Sequence, residues 1–201
     1  MALTYHNNNS ISNVTSFAQV PSGSPVLLST ATASGSSSIS FTSGIDSTYD
    51  VYQFEFINIH PASDSTHFQF NLSTDAGSNY NVTKTTTFFS SYHEEGDVGT
   101  ALVYSPSLDL AQSTAFQSIA YEIGNGADES ASGSLQLFNP SSTTYVKHFI
   151  SKINGYDAAN ASVTRFVAGY GNTTSAVNAI RFQMSSGNID AGTIKMYGIK
   201  A

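Results

Sequence analysis

"VYQFEFINI", residues 51–59, sets Tyr52, Phe54 and Phe56 against Gln53 and Glu55. Side chains on a strand alternate between two faces, so strict apolar–polar alternation marks a strand with one buried face. The same period of two returns in "HFQFNLS" (67–73), with Phe68, Phe70 and Leu72 on one side. It returns again in "SISF" (38–41), "SLQLF" (134–138), "YVKHFIS" (145–151), "RFVAGY" (165–170) and "IRFQM" (180–184). Between these runs lie Gly-, Asn-, Asp-, Ser- and Pro-rich turns: "SGIDSTYD", "HPASD", "STDAGSNYN", "FNPSST" and "SSGNIDAG". Short strands and explicit turns along a whole chain give an all-β fold, an antiparallel β-sandwich of jelly-roll-like form.

Two stretches need separate reading. Residues 107–126, "SLDLAQSTAFQSIAYEIGNG", fit a short helix through Leu108, Ala111, Ala115 and Ile119, or an irregular strand through Phe116, Ile119 and Tyr121. The uniformly β-patterned surroundings favour strand and loop. Near the end, "IRFQM" enters and "TIKMYGI" leaves "SSGNIDAG", which reads as the turn of a terminal hairpin containing Asn188, Asp190 and Gly192. Residues 1–25 carry no sustained period and read as an extended arm, with Val14 and Phe17 as candidate anchors on a neighbouring subunit. Residues 26–201 then form one sandwich domain.

Composition narrows the chemistry. Charged residues make up 10% of the 201, well below the roughly 25% of ordinary soluble domains. Ser, Thr, Asn and Gly supply the polarity, which suits surfaces that pack against other chains. A net charge of −7 with only seven Lys and Arg argues against a nucleic-acid surface. The absence of cysteine excludes disulfides and thiolate metal sites. The first residues have neither a basic nor an apolar region of a signal peptide, and no run of ~18 apolar residues is present for a transmembrane helix. Assembly in the cytoplasm without membrane insertion is the expectation.

Candidate sites are few. "YHEEGDVG" (92–99) gathers His93, Glu94, Glu95 and Asp97, the residue types of a cation site or of a carboxylate pair for glycoside cleavage. Flanking glycines and the lack of apolar residues favour a solvated loop. His60, Asp64 and His67 lack the H-x-H spacing of cupin-type metal sites, and His60 before Pro61 reads as a strand-end residue bonded to a turn. Asp75, Ser78 and Asn79 suit a hairpin turn with Gly77 at positive φ better than a calcium loop. No serine stands in a G-x-S-x-G context. The expectation is therefore no catalytic residue, no metal and no cofactor. Tyrosines near loops, chiefly Tyr92, Tyr156 and Tyr170, are candidate contacts for glycans or protein partners.

Four stretches, "ISFTSGIDSTYDVYQFEFINIHPASD", "STDAGSNYNVTKTTTF", "LQLFNPSSTTYVKHFIS" and "NTTSAVNAIRFQMSSGNIDAGTIKMYGI", resemble a group of bacteriophage virion proteins. These are common in marine phages, including those of cyanobacteria, and are structural or tail-associated. The resemblance covers residues 26–199 in the same order. It implies a β-rich, non-enzymatic virion component of the tail or a fibre, or else a capsid decoration protein. It carries no catalytic residues over. The partners it implies are other virion proteins and copies of the chain itself, expected to form a trimer. Host-surface glycan is the further partner suggested by the tyrosines.

Overall fold

The structure, a computed structural model, describes residues 23–200. Val14 and Phe17 lie outside the described residues. Twelve strands form among the described residues: β1 (Val26–Ser36), β2 (Ile39–Phe41), β3 (Val51–Pro61), β4 (Thr66–Ser73), β5 (Lys84–Glu94), β6 (Thr100–Tyr104), β7 (Gln117–Ile123), β8 (Ala131–Phe138), β9 (Lys147–Tyr156), β10 (Ala161–Gly171), β11 (Ala179–Met184) and β12 (Ile189–Ile199). Within 107–126 the chain is a loop followed by β7, as the strand reading expects.

All strand pairings are antiparallel, in two sheets. The broad sheet runs β1-β12-β3-β8-β9-β10-β5-β6, and the narrow one β2-β11-β4-β7. The chain passes from one sheet to the other at nearly every step. The exceptions are β5–β6 and β8–β9–β10, whose consecutive strands pair directly and widen the broad sheet by four strands.

The alternation in β3 and β4 makes the core. Phe54 and Phe56 point inward from the broad sheet, and Phe68 and Phe70 from the narrow one. Phe182 of β11 is fully buried between them, its ring centroid 5.2 Å from Phe56, 5.4 Å from Phe54, 5.8 Å from Phe68 and 6.4 Å from both Phe70 and Phe41. Most of these pairs are tilted or edge-on, the arrangement that the ring quadrupole favours. Phe70 also meets Phe149 of β9 at 4.9 Å, tying the narrow sheet to the widened part of the broad one.

One expectation is corrected. Residues 185–192 do not turn a terminal hairpin: β11 pairs with β2 and β4, whereas β12 pairs with β1 and β3. The connection is a crossing between sheets. Its turn is confined to residues 185–188, and Asp190 and Gly192 already belong to β12. Matching parity of Phe182/Met184 and Ile194/Met196 is equally satisfied by two strands facing each other across a core, because both must point inward. A turn does form around Asp75: its carboxylate accepts from Ser73 Oγ (2.6 Å), Asn79 N (2.8 Å) and Asn79 Nδ2 (2.7 Å), and Gly77 has the expected positive φ, +87°. It too leads from one sheet to the other, from β4 to β5, and does not close the expected hairpin.

Phe182→Ala is expected to cost ~3–5 kcal/mol, since five rings would line the vacated space and all are held by strand pairing. Urea unfolding followed by near-UV circular dichroism measures this; a loss below ~1 kcal/mol contradicts the central role of this ring.

Candidate functional site

The four added strands carry the surface of most chemical interest. On β10, Ala161, Val163, Arg165 and Val167 point inward, so Phe166, Ala168 and Tyr170 point out. Register then builds rows across the outer face. Phe166 stands beside Phe89 of β5 and Lys152 of β9, and Phe89 in turn beside Tyr104 of β6. Phe89 and Phe166 stack at 5.0 Å and 11°, and Lys152 Nζ lies 5.6 Å from the Phe166 centroid. In the next row Ala168 lies between Thr87 and Ile150, and in the next Tyr170 between Thr85 and His148. Because Ala168 is small, a depression of about 500 Å³ opens there, framed by Phe138, His148, Ile150 and Tyr170, with Thr85 and Thr87 supplying hydroxyls. The surface is strongly apolar for an outer face: Phe89 is 39% exposed, Ile150 54%, Tyr104 51% and Leu102 73%.

Beneath this face the same strands bury three cations, Lys84, Lys147 and Arg165, each fully. Neutral oxygens meet them from β4, β7, β10 and the connections before β5, before β9 and after β10. Lys84 Nζ donates to Asn71 Oδ1 (2.5 Å) and Val82 O (2.8 Å). Lys147 Nζ donates to Tyr145 O (2.6 Å) and Thr173 O (3.2 Å). Arg165 donates to Val163 O (3.1 Å) and Tyr121 O, with its guanidinium carbon 4.7 Å from the Tyr121 centroid and Nε unpartnered. None of the three forms an ion pair within 4.0 Å of a described carboxylate; the pairs present are His60–Asp190 and His93–Asp97. Burial with neutral acceptors penalises the charged forms. It lowers Lys84 to about 7 and Arg165 to about 10, and moves Lys147 down as well.

The three candidate tyrosines are not brought together. Tyr170 borders the depression above. Tyr156 sits at the other end of β9, about 27 Å along the sheet by strand rise, where its hydroxyl lies 3.2 Å from Asn160 Oδ1. Tyr92 points to the inner side of β5, near Tyr121, Glu122 and Asp157. Around Tyr156, a cavity of about 350 Å³ does gather His93, Glu94, Glu95 and Asp97. Desolvation and a hydrogen bond from its hydroxyl to Glu95 raise the Tyr156 phenol. His93 Nε2 contacts Asp97 Oδ1 at 2.9 Å, both side chains being largely exposed. Among the described residues no group of three or more His, Cys, Asp or Glu is arranged to hold a metal ion. His60 occupies the end of β3 and its Nε2 lies 3.1 Å from Gly126 O, a turn carbonyl, as its sequence position suggests.

Sequence reasoning missed Phe89, Phe166, Ile150 and Leu102 as a surface. The available signal was "KTTTFFSSYHE" (84–94), where adjacent Phe88 and Phe89 put an aromatic ring on each face of one strand.

Lys84 makes stability depend on pH with a definite sign. Its folded value near 7 lies below the ordinary 10.5, so between these values the unfolded chain binds the extra proton. Stability therefore rises with pH across that window, and the deficit is complete below pH 7. Lys84→Met is expected to raise Tm by several degrees at pH 7, the gain shrinking toward pH 10. Differential scanning calorimetry of both proteins across the window checks this; parallel curves would overturn it.

No protein-family model, no curated protein and no solved structure matches this chain.

Proposed function

We propose that the chain is a non-enzymatic structural component of a bacteriophage virion, present in several copies in the tail or a tail fibre and exposed on its surface. The observation that carries this reading is the outer face of the added strands. A stacked Phe89–Phe166 pair beside exposed Ile150, Tyr104 and Leu102 is apolar surface of the kind that assembling subunits cover. Two further features support it. Removing β5, β6, β9 and β10 leaves β1-β12-β3-β8 facing β2-β11-β4-β7, the interleaved order of an eight-stranded jelly roll, a recurrent capsid architecture. The resemblance of residues 26–199 to phage virion proteins points the same way. In this reading the segment 1–25 docks on a neighbouring virion protein, and the charged hairpin around Glu94–Asp97 faces solvent.

Imaging of intact particles with a tag on this chain tests the proposal. Density confined to the tail vertex is the expected result. Density repeated over the capsid facets would make the chain a decoration protein instead, and absence from purified particles would overturn the virion assignment.

The depression beside Tyr170 favours a second reading, host-glycan binding. It combines an aromatic ring with His148, Thr85 and Thr87, which suits a sugar's apolar face and hydroxyls. On this reading Tyr170→Ala weakens binding to host envelope polysaccharide at least ~10-fold, a loss of about 1.4 kcal/mol, while Tyr92→Phe leaves it unchanged. Absence of binding by the unaltered protein in a glycan array or pull-down overturns it.

A further inference from the structure

A sheet edge exposes a row of unpaired backbone donors and acceptors, and folded proteins shield such edges with bulges, brevity, proline or charge. Among the described residues the two sheets have four edges. β2 is only three residues long. β7 pairs with β4 through two register shifts, and β1 carries a bulge between Leu27 and Ser29. β6 is five residues long and carries no bulge. Its sequence, Thr100-Ala-Leu-Val-Tyr104, is uncharged and free of proline, and it pairs with β5 without interruption. Leu102 and Tyr104 on its outer face and Val103 on its inner face are all exposed.

The ladder fixes which groups are free. Glu94 N donates to Gly99 O and Ser105 N donates to Phe88 O, so odd-numbered residues of this stretch address β5. The N–H and C=O of Thr100, Leu102 and Tyr104 therefore point outward, where no other strand among the described residues pairs with them. These three positions are symmetric about Leu102.

We propose that β6 joins a second copy of this chain, antiparallel, across a two-fold axis at Leu102. Leu102 then faces Leu102 of the second copy, and Thr100 faces its Tyr104. Every outward-pointing residue becomes a hydrogen-bonded pair, each exchanging two backbone bonds at a Cα separation of about 5.5 Å. The two leucine side chains meet on the outer face, next to Tyr104 and the Phe89–Phe166 stack, and bury the most exposed large apolar residue of the strand. Charge selects this direction. The acidic hairpin Glu94–Asp97 precedes β6, and Ser105-Pro106-Ser107 follows it. Antiparallel pairing places each acidic hairpin beside a segment whose nearest charge is the single carboxylate of Asp109, held by the Tyr104 hydroxyl, whereas parallel pairing would set the two hairpins, each with Glu94, Glu95 and Asp97, side by side. The contact is isologous and closes on itself, giving a dimer and a broad sheet continuous through both copies. Such a joint differs from the three-fold assembly expected from sequence. It does not rest on the virion reading: a dimer absent from particles and a monomer present on them overturn different statements.

The test is sedimentation equilibrium of the full chain across the micromolar range, with two variants. Leu102→Pro removes an outward N–H that β5 does not use, and Leu102→Lys sets like charges opposite each other at the axis. The expected result is a dimer for the unaltered chain, with dissociation constants raised at least ~10-fold in both variants and thermal unfolding close to that of the parent monomer. The chain has no cysteine, so Leu102→Cys is also expected to form a disulfide-linked dimer on oxidation, and Thr32→Cys on β1 is not. A monomer throughout, a dimer unaffected by both substitutions, or cross-linking at Thr32→Cys alone would each overturn the proposal.

Discussion

The broad sheet has twice as many strands as the sheet it packs against, and that mismatch governs most of what is unusual here. Where the two sheets overlap, inward faces meet as apolar layers about 10 Å apart, and the Phe182 cluster fills the space. Beyond the overlap, the inner sides of β9, β10 and β5 meet little of the narrow sheet except its margin, through β7 and the Phe70–Phe149 contact. They are covered by one edge strand, β7, and by loop backbone whose carbonyls need donors. Lys84 and Lys147 donate to such loop carbonyls, at Val82, Tyr145 and Thr173, and Arg165 donates to strand carbonyls, at Val163 and Tyr121.

This solution sacrifices stability for geometry. A buried cation held by neutral oxygens is costly compared with an apolar side chain of similar volume. What it secures is position: each buried cation ties its strand to backbone or amide oxygens of neighbouring segments. Thr86 shows the same pattern without charge, exchanging bonds with Gln117 Oε1 (2.6 Å) and with Leu110 N (2.8 Å). The loop of residues 105–116 is fastened against β5 by this bond from Leu110 N, by the backbone bonds between Lys84 and Ser113, and by the bond from Thr86 N to Leu110 O.

The parts of the fold legible in the sequence were those in which the inner face is apolar. β3, β4 and β11 alternate cleanly because they face the Phe182 cluster. β5 did not declare itself: its inner positions run Lys84, Thr86, Phe88 and Ser90, and its outer ones Thr85, Thr87 and Phe89, so no hydrophobic period of two exists. β1 was silent for another reason, being built from Ala, Ser and Thr with little burial. β10 was recognisable as a strand but not by face, since an apolar-inside rule would turn Phe166 inward and Arg165 out. The outer aromatic face could not be read because it follows from that inversion. The mistaken hairpin at 185–192 has a similar origin: period and parity give the inward direction of a side chain but not the sheet to which its strand belongs.

The place of β12 has a consequence for how the molecule comes into being. It lies between β1 and β3, with Thr32 and Thr193 in contact although they are 161 residues apart in sequence. Neither neighbour can complete its pairing until this strand arrives, and the closing of so long a loop must precede the contacts that reward it. Early strands emerging from the ribosome therefore wait with open edges. The pairing of β12 completes the broad sheet at this end, and its large separation in sequence from β1 raises the contact order, the property that slows folding across small domains.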